Sequence, residues 1–109
     1  MLKTIPADDE AHENHIAQVL SGRRQPGSGA INADGLKADV KTDIELIECK
    51  ATNKRSFSIT LIILEKIIRQ AAAACRHWAV AVRIGRTDIV ITSLKRHKEL
   101  LDYERESRG

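Results

Sequence analysis

An α/β domain with a central mixed β-sheet flanked by helices is the fold class that three stretches of this 109-residue chain predict. Residues 44–50 (I-E-L-I-E-C-K) have the β-branched and apolar content of a strand. Residues 78–84 and 87–91 form two more such runs, separated by Gly85-Arg86, a two-residue hairpin signal. Between them, Ile59 to about Cys75 is long and apolar enough for a helix. The order α, loop, β, β, α, β, β, α follows, in one domain spanning residues 1–109.

Taken in order, residues 1–7 are a lead-in ended by Pro6, with no signal-peptide core. Asp8 or Asp9 caps a first helix running to about Ser21, and Gly22 stops it. Ile16, Val19 and Leu20 mark its buried face, which leaves Glu13, one turn above, half-hidden. Residues 22–30 hold three glycines and a proline and read as a loop, neither helix nor strand. Gly22 and Gly27 have P-loop spacing, but Ser28 stands where the lysine is required, so no nucleotide cofactor is expected. The loop's amides, the Ser28 hydroxyl and Arg23-Arg24 can still hold a phosphate.

Residues 36–40 read as a short strand leading into the strand at 44–50, and residues 51–55 as a polar connection. Ser58 caps the helix that begins at Ile59. Seven Ile and Leu residues from Ile59 to Ile68 exceed one sheet-facing stripe, which predicts a second buried face against a partner subunit, with Ile62 and Ile63 contributing most. Ser93 caps a last helix to about Tyr103, and residues 104–109 form a frayed tail.

Composition narrows the function classes. Trp78, Tyr103 and Phe57 are the whole aromatic set (3%), too few for a single-strand binder built on stacking. Net charge is +3, with basic spots at Arg23-Arg24, Lys54-Arg55 and Lys95-Arg96-His97-Lys98 that suit phosphate neutralisation. Two cysteines and no long apolar run point to a reduced, cytoplasmic protein without a membrane span. A zinc site from His12, His15, Cys75 and His77 lacks ligand spacing, and Cys49 and Cys75 read as small core residues rather than nucleophiles.

The chemistry-bearing residues surround the strand at 44–50. Alternation puts Glu48 and Lys50 on one face, roughly 7 Å apart along the strand, and sends Ile47 and Cys49 to the other. A carboxylate there can hold a hard cation, and an ammonium can orient a water or stabilise a charged transition state. Asp39 arrives beside Glu48 if a tight turn around residues 41–43 folds one strand onto the next. Asp43, in that turn, points outward.

Glu13, the Gly27-Ser28-Gly29 loop, Asp39 and Glu48-Cys49-Lys50 together resemble the PD-(D/E)XK nuclease superfamily. Within it the chain is similar to the small archaeal-type and phage Holliday-junction resolvases, the phage ones especially, through R-R-Q-P-G-S-G-A, I-E-C-K-A-T and Ser56-Phe57-Ser58. The resemblance covers about residues 10–74 and departs at Ala38, where a proline usually precedes the first acid. It implies a restriction-endonuclease-like core and a homodimeric, Mg2+- or Mn2+-dependent endonuclease that cuts branched DNA such as four-way junctions. In a phage-encoded protein the setting would be the bacterial host cytoplasm. Glu13, Asp39, Glu48 and the backbone carbonyl of Cys49 would hold the metal, Lys50 would sit by the attacking water, and Ser28 near the scissile phosphate. Arg23, Arg24, Gln25, Ser28, Lys54 and Arg55 would contact DNA. The other readings are a duplex, repair or restriction-type nuclease, and a nuclease-like module that only grips DNA.

Overall fold

A computed structural model describes residues 9–25 and 38–109. Residues 1–7, Ser28 with its flanking glycines, and residues 36–37 of the expected strand lie outside them. The elements run α1 (Asp9–Val19), β1 (Arg23–Arg24), β2 (Val40–Lys41), β3 (Glu45–Thr52), α2 (Leu61–Ala73), β4 (His77–Ile84), β5 (Thr87–Ile91) and α3 (Leu94–Arg108). The five strands form one sheet in sequential order. Only β3 and β4 pair in parallel; the other neighbours are antiparallel. The sheet is therefore mixed, as expected, and α2 is the crossover that a parallel pair requires.

Alternation along β3 and β4 divides the core in two. Ile47, Cys49, Ala79 and Ala81 face α1, where Val40, Ile16 and Ala17 join them. Leu46, Val80 and Val82 face α2, packed on Ile67 and Ala71. Both faces of β3 are thus covered, and Glu48, opposite Val80 in the register, is itself buried.

Local chemistry moves several boundaries. The α2 helix begins after Thr60, not Ser58, because the Thr60 hydroxyl accepts the Ile63 N–H at 3.2 Å, leaving Ile59 to pack on the core as lead-in. Ile63 also packs on that core, so it does not join Ile62 on an outer face. The α3 helix continues to Arg108 instead of fraying at residue 104, supported by Lys98–Asp102 and Glu104–Arg108 pairs one turn apart. Strand β3 runs on through Ala51-Thr52, and Arg23-Arg24 forms a strand inside the expected loop. Gly85 alone takes positive φ (60°) in the β4–β5 turn, as a two-residue hairpin needs.

The left-handed residue that ends α1 is Ser21 (φ 57°), not Gly22. Gly22 donates its N–H to Ala17 O at 2.8 Å, completing a Schellman turn. Its lack of a side chain serves packing: a Cβ there would lie 2.9 Å from both Lys41 O and Val40 Cγ1. Cys75 (φ 55°) ends α2 in the same way and is exposed, so it is not the core residue the sequence suggested.

Candidate active site

Thr42 builds the turn that brings Asp39 to Glu48. Its hydroxyl accepts the N–H groups of Ile44 (3.1 Å) and Glu45 (2.8 Å), and its own N–H donates to Glu45 O at 2.9 Å. The chain doubles back with Val40 opposite Ile47 and Lys41 opposite Leu46. One step further, the Asp39 N–H donates to Ile47 O at 3.1 Å, while Asp39 O accepts the Gln25 N–H at 3.0 Å. The Asp39 backbone is therefore fixed on both sides, and its Oδ2 accepts the Cys49 N–H at 2.8 Å. Asp43 is exposed, as expected of the competing acid.

Glu13 comes from the buried stripe of α1. That stripe comprises His12, Glu13, Ile16 and Ala17, so two of its four residues are polar. Glu13 is more deeply buried than its expected half-hidden position, and Arg24 Nε donates to its Oε1 at 3.2 Å. Lys50 Nζ lies 3.2 Å from Glu48 Oε2, which confirms that the two share a face.

Burial is the largest influence on Asp39, followed by the charge of Glu48. Together with Glu13 they push its carboxyl up to about 6, against the lowering effects of the Cys49 N–H and Lys50. Asp39 thus senses both other acids, yet among the described residues no three such groups converge to hold a metal ion. The reason is visible in their contacts: Glu13 turns to Arg24, Glu48 to Lys50, and Asp39 to a backbone amide. Buried hard oxygen donors that repel one another have the chemistry that suits Mg2+ or Mn2+.

Of the expected DNA contacts, Arg23 is exposed on β1 and Gln25 follows it, whereas Arg24 is engaged by Glu13 and Glu10. Lys54 and Arg55 are exposed just beyond β3. Arg24 as the partner of Glu13 was not legible, since the residues are far apart in sequence and nothing marked β1 as a strand. The histidines do not gather with Cys75 and His77. Instead His12 and His15 Nε2 lie 3.5 and 3.6 Å from Asp88, which also takes two 2.8 Å hydrogen bonds from Arg83. Those hydrogen bonds are the main cause of the lowered Asp88 pKa.

The mixed five-stranded sheet with its flanking helices is an α/β fold that this chain shares with a protein of known structure. One solved structure similar to the chain is Hjc of Archaeoglobus fulgidus, a Holliday junction resolvase from an archaeal hyperthermophile. The likeness has a TM-score of 0.63 at 15% identity and covers 76% of this chain and 75% of that one. No protein-family model and no curated protein matches the chain. Among the described residues no helix is long and apolar enough to cross a membrane.

Proposed function

We propose that the chain is a metal-dependent, structure-specific endonuclease that hydrolyses phosphodiester bonds in branched DNA, acting as a Holliday-junction resolvase. The observation that carries this reading is Asp39, held by three hydrogen bonds beside Glu48-Lys50 and pushed up to about 6 by burial and neighbouring acids. Clustering acids in this way raises the energy of the free protein, a cost that a bound cation would relieve.

Asp39, Glu48, Glu13 and the Cys49 carbonyl would hold Mg2+ or Mn2+. When bound, the ion supplies charge neutralisation for the pentacovalent phosphorus. The Lys50 ammonium, now paired with Glu48, would hydrogen-bond to the attacking water or a phosphoryl oxygen once the Glu48 charge is met elsewhere. Arg24 would keep Glu13 aimed inward. Ser28 and Arg23, Gln25, Lys54 and Arg55 would meet the DNA backbone.

The active form would be a homodimer. Leu61, Ile62 and Ile68 of α2 remain exposed, Ile62 at 79%, and a second copy would cover them. Two sites related by a two-fold axis also suit paired nicks in a two-fold-symmetric junction. Incubating an end-labelled four-way junction and a matching duplex with the protein, with Mg2+ or with EDTA, tests this reading. It expects nicks in the junction with Mg2+; equal cutting of the duplex would favour a repair or restriction-type nuclease.

A further inference from the structure

The β1–β2 edge carries a group of cations that the acidic cluster does not use. Arg23 lies directly opposite Lys41 in the antiparallel register, so two like charges share one face. Cross-strand pairs of like charge are destabilising unless an anion lies between them. A cleft of about 550 Å³ opens beside them, lined also by Arg24, Gln25, Asp43 and Arg76. Arg76 is fixed in place because Nε donates to Thr42 O at 2.9 Å and Nη1 to Ala74 O at 3.1 Å. Carbonyls orient a guanidinium without cancelling its charge, which leaves it prepared for an anion.

A second cleft, of about 240 Å³, shares Gln25 and Lys41 with the first and adds Arg69 and Gln70. Among the described residues, Arg23, Lys41, Arg69 and Arg76 form no salt bridge, not even with Asp43, whereas Arg24 does. The Gln70 side chain supplies an independent sign. It is only 7% exposed, and neither its Nε2 nor its Oε1 has a hydrogen-bond partner. A buried amide unsatisfied at both ends is costly, and a ligand that accepts from Nε2 would relieve it.

We propose that these adjoining clefts bind a second stretch of nucleic-acid backbone, with Arg23, Lys41, Arg69 and Arg76 meeting phosphates and the Gln70 amide donating to a phosphate oxygen. In a branched substrate this would be a strand other than the one presented to Asp39 and Glu48. The inference rests on the nuclease reading only in taking DNA as the ligand. A nucleic-acid backbone is favoured over an acidic peptide because evenly spaced point anions suit cations spread over two connected clefts.

Binding is read without cleavage, by fluorescence anisotropy of a labelled four-way junction in EDTA across a salt series. The parent is compared with a Lys41→Ala/Arg69→Ala double variant and with a Lys98→Ala/Arg108→Ala control of equal charge change, whose cations already pair with Asp102 and Glu104. Losing two phosphate contacts should flatten the log–log salt slope by about 2 and weaken affinity at least tenfold near 0.1 M salt. The control should keep the parental slope. Gln70→Leu should weaken binding at unchanged slope while raising the unfolding midpoint, a pairing that a purely structural role does not give. A double variant with the parent's slope and affinity overturns the inference and leaves the nuclease reading standing. Parental junction binding together with lost binding of a labelled poly-glutamate peptide overturns it in favour of an acidic protein partner. Failure of the parent itself to bind DNA removes both readings.

Discussion

Replacing Asp39 with asparagine removes one buried negative charge while keeping the shape of the side chain and an oxygen to accept the Cys49 N–H. In the unfolded chain the carboxyl titrates near 3.8; in the folded chain it is pushed up to about 6 by burial, Glu48 and Glu13. Between those values the folded chain holds a proton that the unfolded chain has released. Folding therefore takes up protons there, and the Asp39 contribution to stability falls as the pH rises. A difference of about 2 pKa units at 1.36 kcal/mol each amounts to about 3 kcal/mol of strain at pH 7. Asp39→Asn should thus stabilise the metal-free protein by about 3 kcal/mol at pH 7, with the gain vanishing below about pH 4. Urea unfolding of both proteins in EDTA, at pH values from 4 to 8, measures the gap. A variant less stable than the parent at pH 7, or a gap independent of pH, would refute the electrostatic reasoning.

Four other outcomes follow from the geometry. Lys50→Ala should lower turnover by about a hundredfold or more while junction affinity changes little, because one ammonium is one phosphate contact among many; parental cleavage would reduce the Lys50–Glu48 contact to a structural ion pair. Cys75→Gly should raise stability by about 0.5–1 kcal/mol by relieving a left-handed residue, whereas Gly22→Ala should cost about 1–3 kcal/mol by forcing a Cβ into Lys41 O and Val40; urea midpoints decide both. Sedimentation at micromolar concentration should give twice the chain mass for the parent and the single-chain mass for a folded Ile62→Glu variant, and a monomeric parent would rule the dimer out.

Most of the sheet could be anticipated because period-two patterning and the Gly85-Arg86 turn depend on neighbouring residues alone. The arrival of Asp39 beside Glu48 was legible for the same reason: the four residues between the paired Lys41 and Leu46, with the Thr42 hydroxyl among them, suffice to reverse the chain. What local reading missed depends on contacts distant in sequence. Arg23-Arg24 has no strand signal of its own; it becomes β1 because Gly22 lets the backbone press against β2. Ser56, Ser58 and Thr60 are all plausible caps, and packing of Ile59 and Ile63 on the core selects Thr60. Arg76 carries no pattern in its neighbours that marks a role, yet it ties the Thr42 turn to the end of α2. The apolar residues of α2 leave Leu61, Ile62 and Ile68 exposed outside the inner stripe, and Ile63 belongs to the inner one.

The proposed activity is hydrolysis of phosphodiester bonds in branched DNA through Glu48, with Asp39 and Lys50. Its most direct test is a denaturing gel of an end-labelled four-way junction incubated in Mg2+ with the parent and with Glu48→Ala. Paired nicks near the branch point are expected with the parent, and an intact junction with the folded variant. Equal cutting by the two proteins would contradict it.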